Sequence, residues 1–174
     1  MRDLLAAGKI QVRPLAREDW DSVLAIYLEG VATGLATFET TAPSWESWDS
    51  AHLKFARLVA VSEGGGQLAG WAALSPVSRR SVYAGVSEVS VYVGSGFRGQ
   101  GVGGVLLDHL IDQSESNSIW TLQASIFPEN KESIALHANR GFRQIGFRER
   151  VAKLNGVWRD TVLLERRSRI VGFA

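Results

Sequence analysis

Residues 87–107, Ser-Glu-Val-Ser-Val-Tyr-Val-Gly-Ser-Gly-Phe-Arg-Gly-Gln-Gly-Val-Gly-Gly-Val-Leu-Leu, decide the fold. The first seven are rich in β-branched residues and predict a strand from about Val86 to Val93. Val105-Leu106-Leu107 opens an apolar run that predicts a helix from about Gly104 to Ser116. Between them Gly94–Gly104 is a glycine-rich connection. A strand that passes through glycines into a helix is the building unit of a layered α/β sheet.

The flanks extend that unit on both sides. Upstream, alternating Ile10 and Val12 predict a strand over Ile10–Leu15. Trp20, Val23, Leu24, Tyr27, Leu28 and Val31 then put an apolar stripe on one face of a helix over 17–32. Thr40-Thr41-Ala42-Pro43 breaks the chain, and Ser44 caps a second helix running to about Phe55. Arg57–Ser62 and Gln67–Leu74 read as a hairpin around Gly64-Gly65-Gly66, and 75–85 as an irregular polar loop. Downstream come a strand over Ile119–Ile126 and a helix over Asn130–Arg140. Strands over Phe142–Ala152 and Val157–Glu165 follow, joined at Asn155-Gly156, a strong hairpin signal. With no internal repeat or linker, residues 1–174 read as one mixed α/β domain with hairpins at both ends of the strand list.

The composition narrows the classes of function. A chain of 174 residues is the size of one domain. A formal net charge of +1 gives no reason to expect nucleic acid or an anionic membrane as partner. Arg166, Arg167 and Arg169 read as a solvated stretch. There is no cysteine, which removes disulfides, thiolate metal sites and thiol catalysis, and no metal is expected. Met1–Ile10 lacks a long apolar run and no stretch approaches the roughly 20 apolar residues of a membrane span. The expectation is a soluble, cytoplasmic protein.

Glycines let main-chain N–H groups approach a ligand, and at a helix N-terminus those groups favour an anionic phosphate. Gly99, Gly101 and Gly104 satisfy the dinucleotide pattern G-x-G-x-x-G, yet Trp120–Ser125 offers no carboxylate for a ribose. The Lys-Ser/Thr ending of a P-loop is missing as well. Arg98, Gly101 and Gly103 instead supply Arg/Gln-x-x-Gly-x-Gly/Ala. A plain glycine-rich turn is the competing account.

With that pattern behind Glu88–Val93, the chain resembles the GNAT superfamily of acetyltransferases. Within it the chain looks like the phosphinothricin and methionine sulfoximine acetyltransferase group. The likeness rests on Pro128, Asn130, Ser133, Leu136-His137, Gly141-Phe142, Asn155-Gly156, Trp158 and Asp160, echoed by Ala25-Ile26-Tyr27 and Thr37-Phe38-Glu39. It covers about residues 10–165.

The resemblance implies a strongly twisted mixed sheet with helices on both faces and middle strands that splay to admit acetyl-CoA. It assigns the CoA pyrophosphate to Arg98, Gly99, Gln100, Gly101, Val102, Gly103 and Gly104. The pantetheine arm goes to the main chain of Val91, Tyr92 and Val93. Asn130 and Ser133 join the cofactor set, although both also suit a helix start. Glu88, a charge at the entry of an apolar strand, becomes the candidate base, against the plain account of a strand-end glutamate. His137 shares a helix face with Asn130 and Ser133. Many GNAT enzymes carry a tyrosine there as acid for the thiolate; this group carries histidine, and its role, acid or base, stays open.

For the acceptor the resemblance points to Phe38, Ser78, Arg79, Arg80, Tyr83, Glu88, Val89 and Ser90. The group's Trp-Arg-x-Arg-x-Ala-Tyr stretch is only half kept here: Arg80 and Tyr83 match, while the Trp and first Arg are absent. The arginine pair could hold a carboxylate bidentately or face solvent. The implied activity is transfer of acetyl to the amine of a small amino-acid-like molecule, by direct attack, in a homodimer. A peptide N-terminal acetyltransferase and a non-catalytic acyl-CoA sensor are the alternatives.

Overall fold

The computed structural model describes residues 10–64 and 66–173. Met1–Lys9 and Gly65, the middle of the expected hairpin turn, lie outside that range. Seven strands form one sheet: β1 (Ile10–Pro14), β2 (Leu58–Ser62), β3 (Leu68–Pro76), β4 (Val86–Val93), β5 (Thr121–Ile126), β6 (Arg143–Leu154) and β7 (Val157–Arg167). Their order is β1-β2-β3-β4-β5-β7-β6. Among the described residues only β4 and β5 run parallel, joined by helix α3 (Val102–Ser116).

Alternation along the strands sorts side chains into two cores. Leu58, Ala60, Ala72, Leu74, Leu122 and Leu164 meet Val102, Leu106, Leu107 and Leu110 of α3. The opposite parity, Val59, Trp71 and Ala73, meets Trp20, Val23 and Ile26 of α1 (Trp20–Ala32) and Trp48 of α2 (Trp45–Ala51). Helices therefore lie on both faces, as expected. Each fully buried leucine contributes about 1.5–3 kcal/mol.

Most expected elements stand where the sequence put them, with shifted ends. Ser44 caps α2 through its Oγ, which accepts from the Ser47 N–H at 3.2 Å. That helix stops at Ala51 instead of about Phe55. His52 is extended, and Leu53 N–H donates to the Leu74 carbonyl at 2.8 Å, which turns the chain toward β3. Helix α3 starts at Val102, two residues earlier than expected, because Gly101 makes the turn at φ 82°. Gly103 and Gly104 are thus inside its first turn. A Cβ at Gly104 would meet the guanidinium of Arg140, just past α4 (Lys131–Ala138), and that flexible side chain would have to move. Asn130 caps α4 instead of belonging to it. The final hairpin turns at Asn155 and Gly156, φ 49° and 81°, as the Asn-Gly pair requires.

Candidate active site

The parallel ladder between β4 and β5 has three rungs: Val86 with Thr121, Ser87 with Leu122 and Glu88 with Gln123. From Val89 on, β4 keeps its partner β3 through Val93. Beyond Gln123, β5 continues beside β7. The strands have parted, and the β5-facing edge of Val89–Val93 carries main-chain groups that no strand engages. An extended ligand can pair there like an added strand. Val91, Tyr92 and Val93, the residues expected to align the pantetheine arm, lie on that edge. Val89, Val91 and Val93 pack their side chains into the α3 core, so only their backbone is available to a ligand.

At the end of that edge lies the glycine loop. Gly99 and Gly101 hold φ of 72° and 82°, a region that favours glycine. Among the described residues no side chain caps the N-terminus of α3, which leaves the first-turn amides of Val102, Gly103 and Gly104 available to an anion. Arg98 and Gln100 fold back on the loop, donating to the Val93 carbonyl at 3.2 Å and the Gly96 carbonyl at 2.9 Å. The chemistry of this donor set suits the pyrophosphate of CoA, and the open β4 edge suits its amide-bearing arm.

Val86, Glu88, Ser90 and Tyr92 share one parity, on the sheet face opposite α3. Glu88 is half-buried, and burial holds its carboxyl above the usual range, partly offset by the Arg148 guanidinium. Two cavities flank it along the strand. One, about 400 Å³, is lined by Val86, Ser78, Tyr83, Thr121, Gln123 and Glu165. The other, about 370 Å³, has Ser90, Tyr92, Tyr27, Trp48, Trp71 and Glu39 among its walls. Tyr92 stacks on Trp71 at 4.8 Å between ring centroids and meets Tyr27 at 5.1 Å.

His137 is 4% exposed and packs edge-on against Phe142. Its Nδ1 lies 2.7 Å from the Ser133 carbonyl, which can only accept, so Nδ1 carries the proton. Burial lowers its pKa. The neutral ring then presents a lone pair at Nε2, which has no partner among the described residues. No hydrogen bond joins His137 to Glu88. Asn130 accepts from Ser133 N–H at 3.1 Å and donates to the Leu35 carbonyl at 3.2 Å. Both residues thus serve the helix start, and Asn130 also holds the loop after α1.

That loop is pinned from a second side. Arg159 of β7 donates to the Gly34 carbonyl at 3.2 Å and lies 4.2 Å above the Phe127 ring. Phe38 meets the same ring edge-on at 4.8 Å. Thr37 and Glu39, beyond it, reach the aromatic cavity. Arg79 and Arg80 are exposed and line neither cavity; Arg80 stacks over Tyr83 at 5.6 Å. Sequence reasoning did not reach Trp48, Trp71, His52, Glu39, Arg148 or Arg159 as site residues. Only Glu39 carried a signal, through its place beside Phe38.

Three comparisons bear on this arrangement. Residues 15–142 match the model of the acetyltransferase (GNAT) family. The chain is 35% identical over 172 residues to a phosphinothricin N-acetyltransferase of Alcaligenes faecalis, covering 93% of this chain and 84% of the relative. It is 29% identical over 158 residues to an L-methionine sulfoximine/L-methionine sulfone acetyltransferase of Pseudomonas paraeruginosa, covering 88% and 92%. A crystal structure of a phosphinothricin acetyltransferase from Sinorhizobium meliloti, in complex with AcCoA, superposes with a TM-score of 0.81 at 28% identity, covering 91% of this chain and 88% of that one. With the splayed strands, the uncapped glycine-led helix and the half-buried Glu88 already in place, these matches establish that the chain belongs to the GNAT family of acetyltransferases, as an acetyl-CoA-dependent N-acetyltransferase.

Proposed function

We propose that the protein acetylates the amino group of a small amino-acid-like acceptor by direct attack, with Glu88 taking the ammonium proton. The observation that carries this reading is the position of Glu88 on the last rung before β4 and β5 part. A carboxyl there stands where an extended thioester ligand on the β4 edge would end. Its burial-raised pKa makes it a better proton acceptor than a solvated glutamate, since the ideal base lies near the operating pH.

Acetyl-CoA supplies an activated acyl carbonyl. The amides of Val102, Gly103 and Gly104 hold its phosphates, and the main chain of Val91–Val93 aligns its arm. Glu88 takes one proton from the ammonium, directly or through water; the neutral amine nitrogen then bonds to the acyl carbon, the carbon–sulfur bond breaks, and the second nitrogen proton ends on the departing sulfur as the free CoA thiol. The chain has no cysteine to form an acyl-thioenzyme, which favours one-step transfer. His137, neutral with its Nδ1 proton held by Ser133, acts as a buried acceptor and not as a ready acid for the thiolate. The exposed Phe147, Val157 and Trp158 on the β6–β7 hairpin support a homodimer. A cytoplasmic setting is part of the same reading, supported by the lack of cysteine.

The test is thiol release from acetyl-CoA with free amino acids, phosphinothricin, methionine sulfoximine and short peptides as acceptors. Release with the amino-acid acceptors supports the reading. Release with peptides alone would replace it by N-terminal peptide acetylation, and release with none by a non-catalytic role.

A further inference from the structure

The last turn of α1 docks on the stretch that leads from β4 into the glycine loop. Buried Ile26 lies against Gly94, where an added Cβ would stand 3.5 Å from its Cγ1. One turn on, Gly30 admits the Tyr92 ring, which a Cβ there would meet at 2.7 Å. Glu29 shares that helix face. Its Oε2 accepts from the Ser95 N–H at 2.6 Å, across 66 positions of sequence. Ser95 opens a 3-10 turn, Ser95–Phe97, whose N-cap is Gly94, with no side chain to offer. The Glu29 carboxylate therefore caps that turn from another element. Arg98 and Gln100 bond to the Val93 and Gly96 carbonyls, so they tie the loop only to itself and to the end of β4. Among the described residues, Glu29 is the one side chain from another element that bonds to Ser95–Gly101.

We propose that Glu29 is a positioning residue for the cofactor: its bond to Ser95 fixes where the glycine loop enters α3, and with it the amides that take the CoA phosphates. This rests on the proposed hold of Val102, Gly103 and Gly104 on those phosphates. Glu29 acts through Ser95 and not by touching the phosphates, since a carboxylate and a phosphate repel. Without the bond the loop is freer, and acetyl-CoA must order it on binding. The other end of α1 is held independently. Arg159 and Asn130 each donate, at 3.2 Å, to the Gly34 and Leu35 carbonyls. The loop that bears Thr37 and Glu39 therefore keeps its place when Glu29 is removed, and the effect falls on the cofactor alone.

The experiment measures thiol-release kinetics and calorimetric acetyl-CoA affinity for wild type, Glu29→Ala and Glu29→Gln. The donors are acetyl-CoA and S-acetylpantetheine, which lacks the phosphates. Glu29 is exposed, so both variants are expected to fold, which their melting temperatures check. Glu29→Ala is expected to raise Kd and KM for acetyl-CoA about five- to tenfold, with kcat and the acceptor KM within about twofold. Glu29→Gln keeps an oxygen that can accept from Ser95 and should stay within about threefold of wild type. With S-acetylpantetheine, Glu29→Ala and wild type should agree in kcat/KM within about twofold. Unchanged or tighter acetyl-CoA binding in Glu29→Ala would overturn the inference and leave the carboxylate a repulsive neighbour of the site. So would an equal loss with both donors, the mark of general loosening, or a Glu29→Gln as weak as Glu29→Ala. Wild type that uses S-acetylpantetheine as well as acetyl-CoA would instead overturn the phosphate assignment on which the inference rests.

Discussion

Glu88 pairs with Gln123 on the last rung of the parallel β4–β5 ladder. One residue later the strands have separated, so the carboxyl sits at the apex of the opening. That position has two consequences: the group is partly removed from water, and it meets whatever lies against the free edge of β4.

Glu88→Gln is expected to lower turnover by about two to four orders of magnitude, the usual range for a general base. Acetyl-CoA affinity should change little. Near-wild-type turnover would return Glu88 to a strand-end role.

The same variant should be more stable than wild type at neutral pH. Burial raises the native pKa of Glu88 above its reference. The native state therefore holds the proton more tightly, and that contribution is present below about pH 4.5 and lost as pH rises through the native value. Glutamine removes the cost of ionising a buried carboxyl. Thermal melts should show a gain of about 1–3 °C at pH 7.5 and none at pH 4.

The glycines of the loop divide by role. Gly101→Ala forces a left-handed residue at the start of α3, costing about 1 kcal/mol, and should weaken acetyl-CoA binding about tenfold by calorimetry. Gly104→Ala displaces Arg140 but keeps the amide. It should lower the melting temperature while acetyl-CoA affinity stays within about threefold.

His137 and Phe142 bound a buried site that disfavours the imidazolium. A lowered pKa means the stabilising contribution is present above the unfolded value of about 6.5 and lost as pH falls through the native value. His137→Phe should flatten part of the acid limb of stability between pH 7 and 5. His52, shifted the same way, should retain the rest. Turnover should fall less than in Glu88→Gln.

Arg159→Ala removes the bond to Gly34 and the cover over Phe127. The loop bearing Thr37 and Glu39 then loosens. The expected result is a rise of about fivefold in the acceptor KM with the acetyl-CoA KM unchanged. Recovery in Arg159→Lys would identify the bond to Gly34 as the part that matters.

Which of these features the chain spells out follows from how local their physics is. Gly101 and the Asn155-Gly156 turn are legible because the left-handed region admits few residues. Ser44 and Asn130 are legible because a helix start needs an acceptor side chain, and Asn130 proves that the capping account was sound. The apex at Glu88 became readable only through family resemblance, since no local pattern says where a ladder ends. Trp48 and Trp71 stand 23 positions apart and read simply as apolar residues; their meeting at 5.7 Å depends on α2 folding back over β3. Arg159 gave no signal, because an arginine in a strand is unremarkable until its partner at Gly34, 125 residues away, is in place. Insertion of β7 between β5 and β6 is also a nonlocal result. A hairpin signal gives the pair but not which member joins the sheet.

The central claim is one-step transfer of acetyl from acetyl-CoA to an amine held at Glu88. Initial rates of thiol release, with acetyl-CoA and a turned-over amino acid both varied, test it most directly. Direct attack requires both substrates to be bound together, so double-reciprocal plots should intersect, with the N-acetylated acceptor appearing in step with free thiol. Parallel lines, with an acetylated protein isolable before acceptor is added, would contradict it.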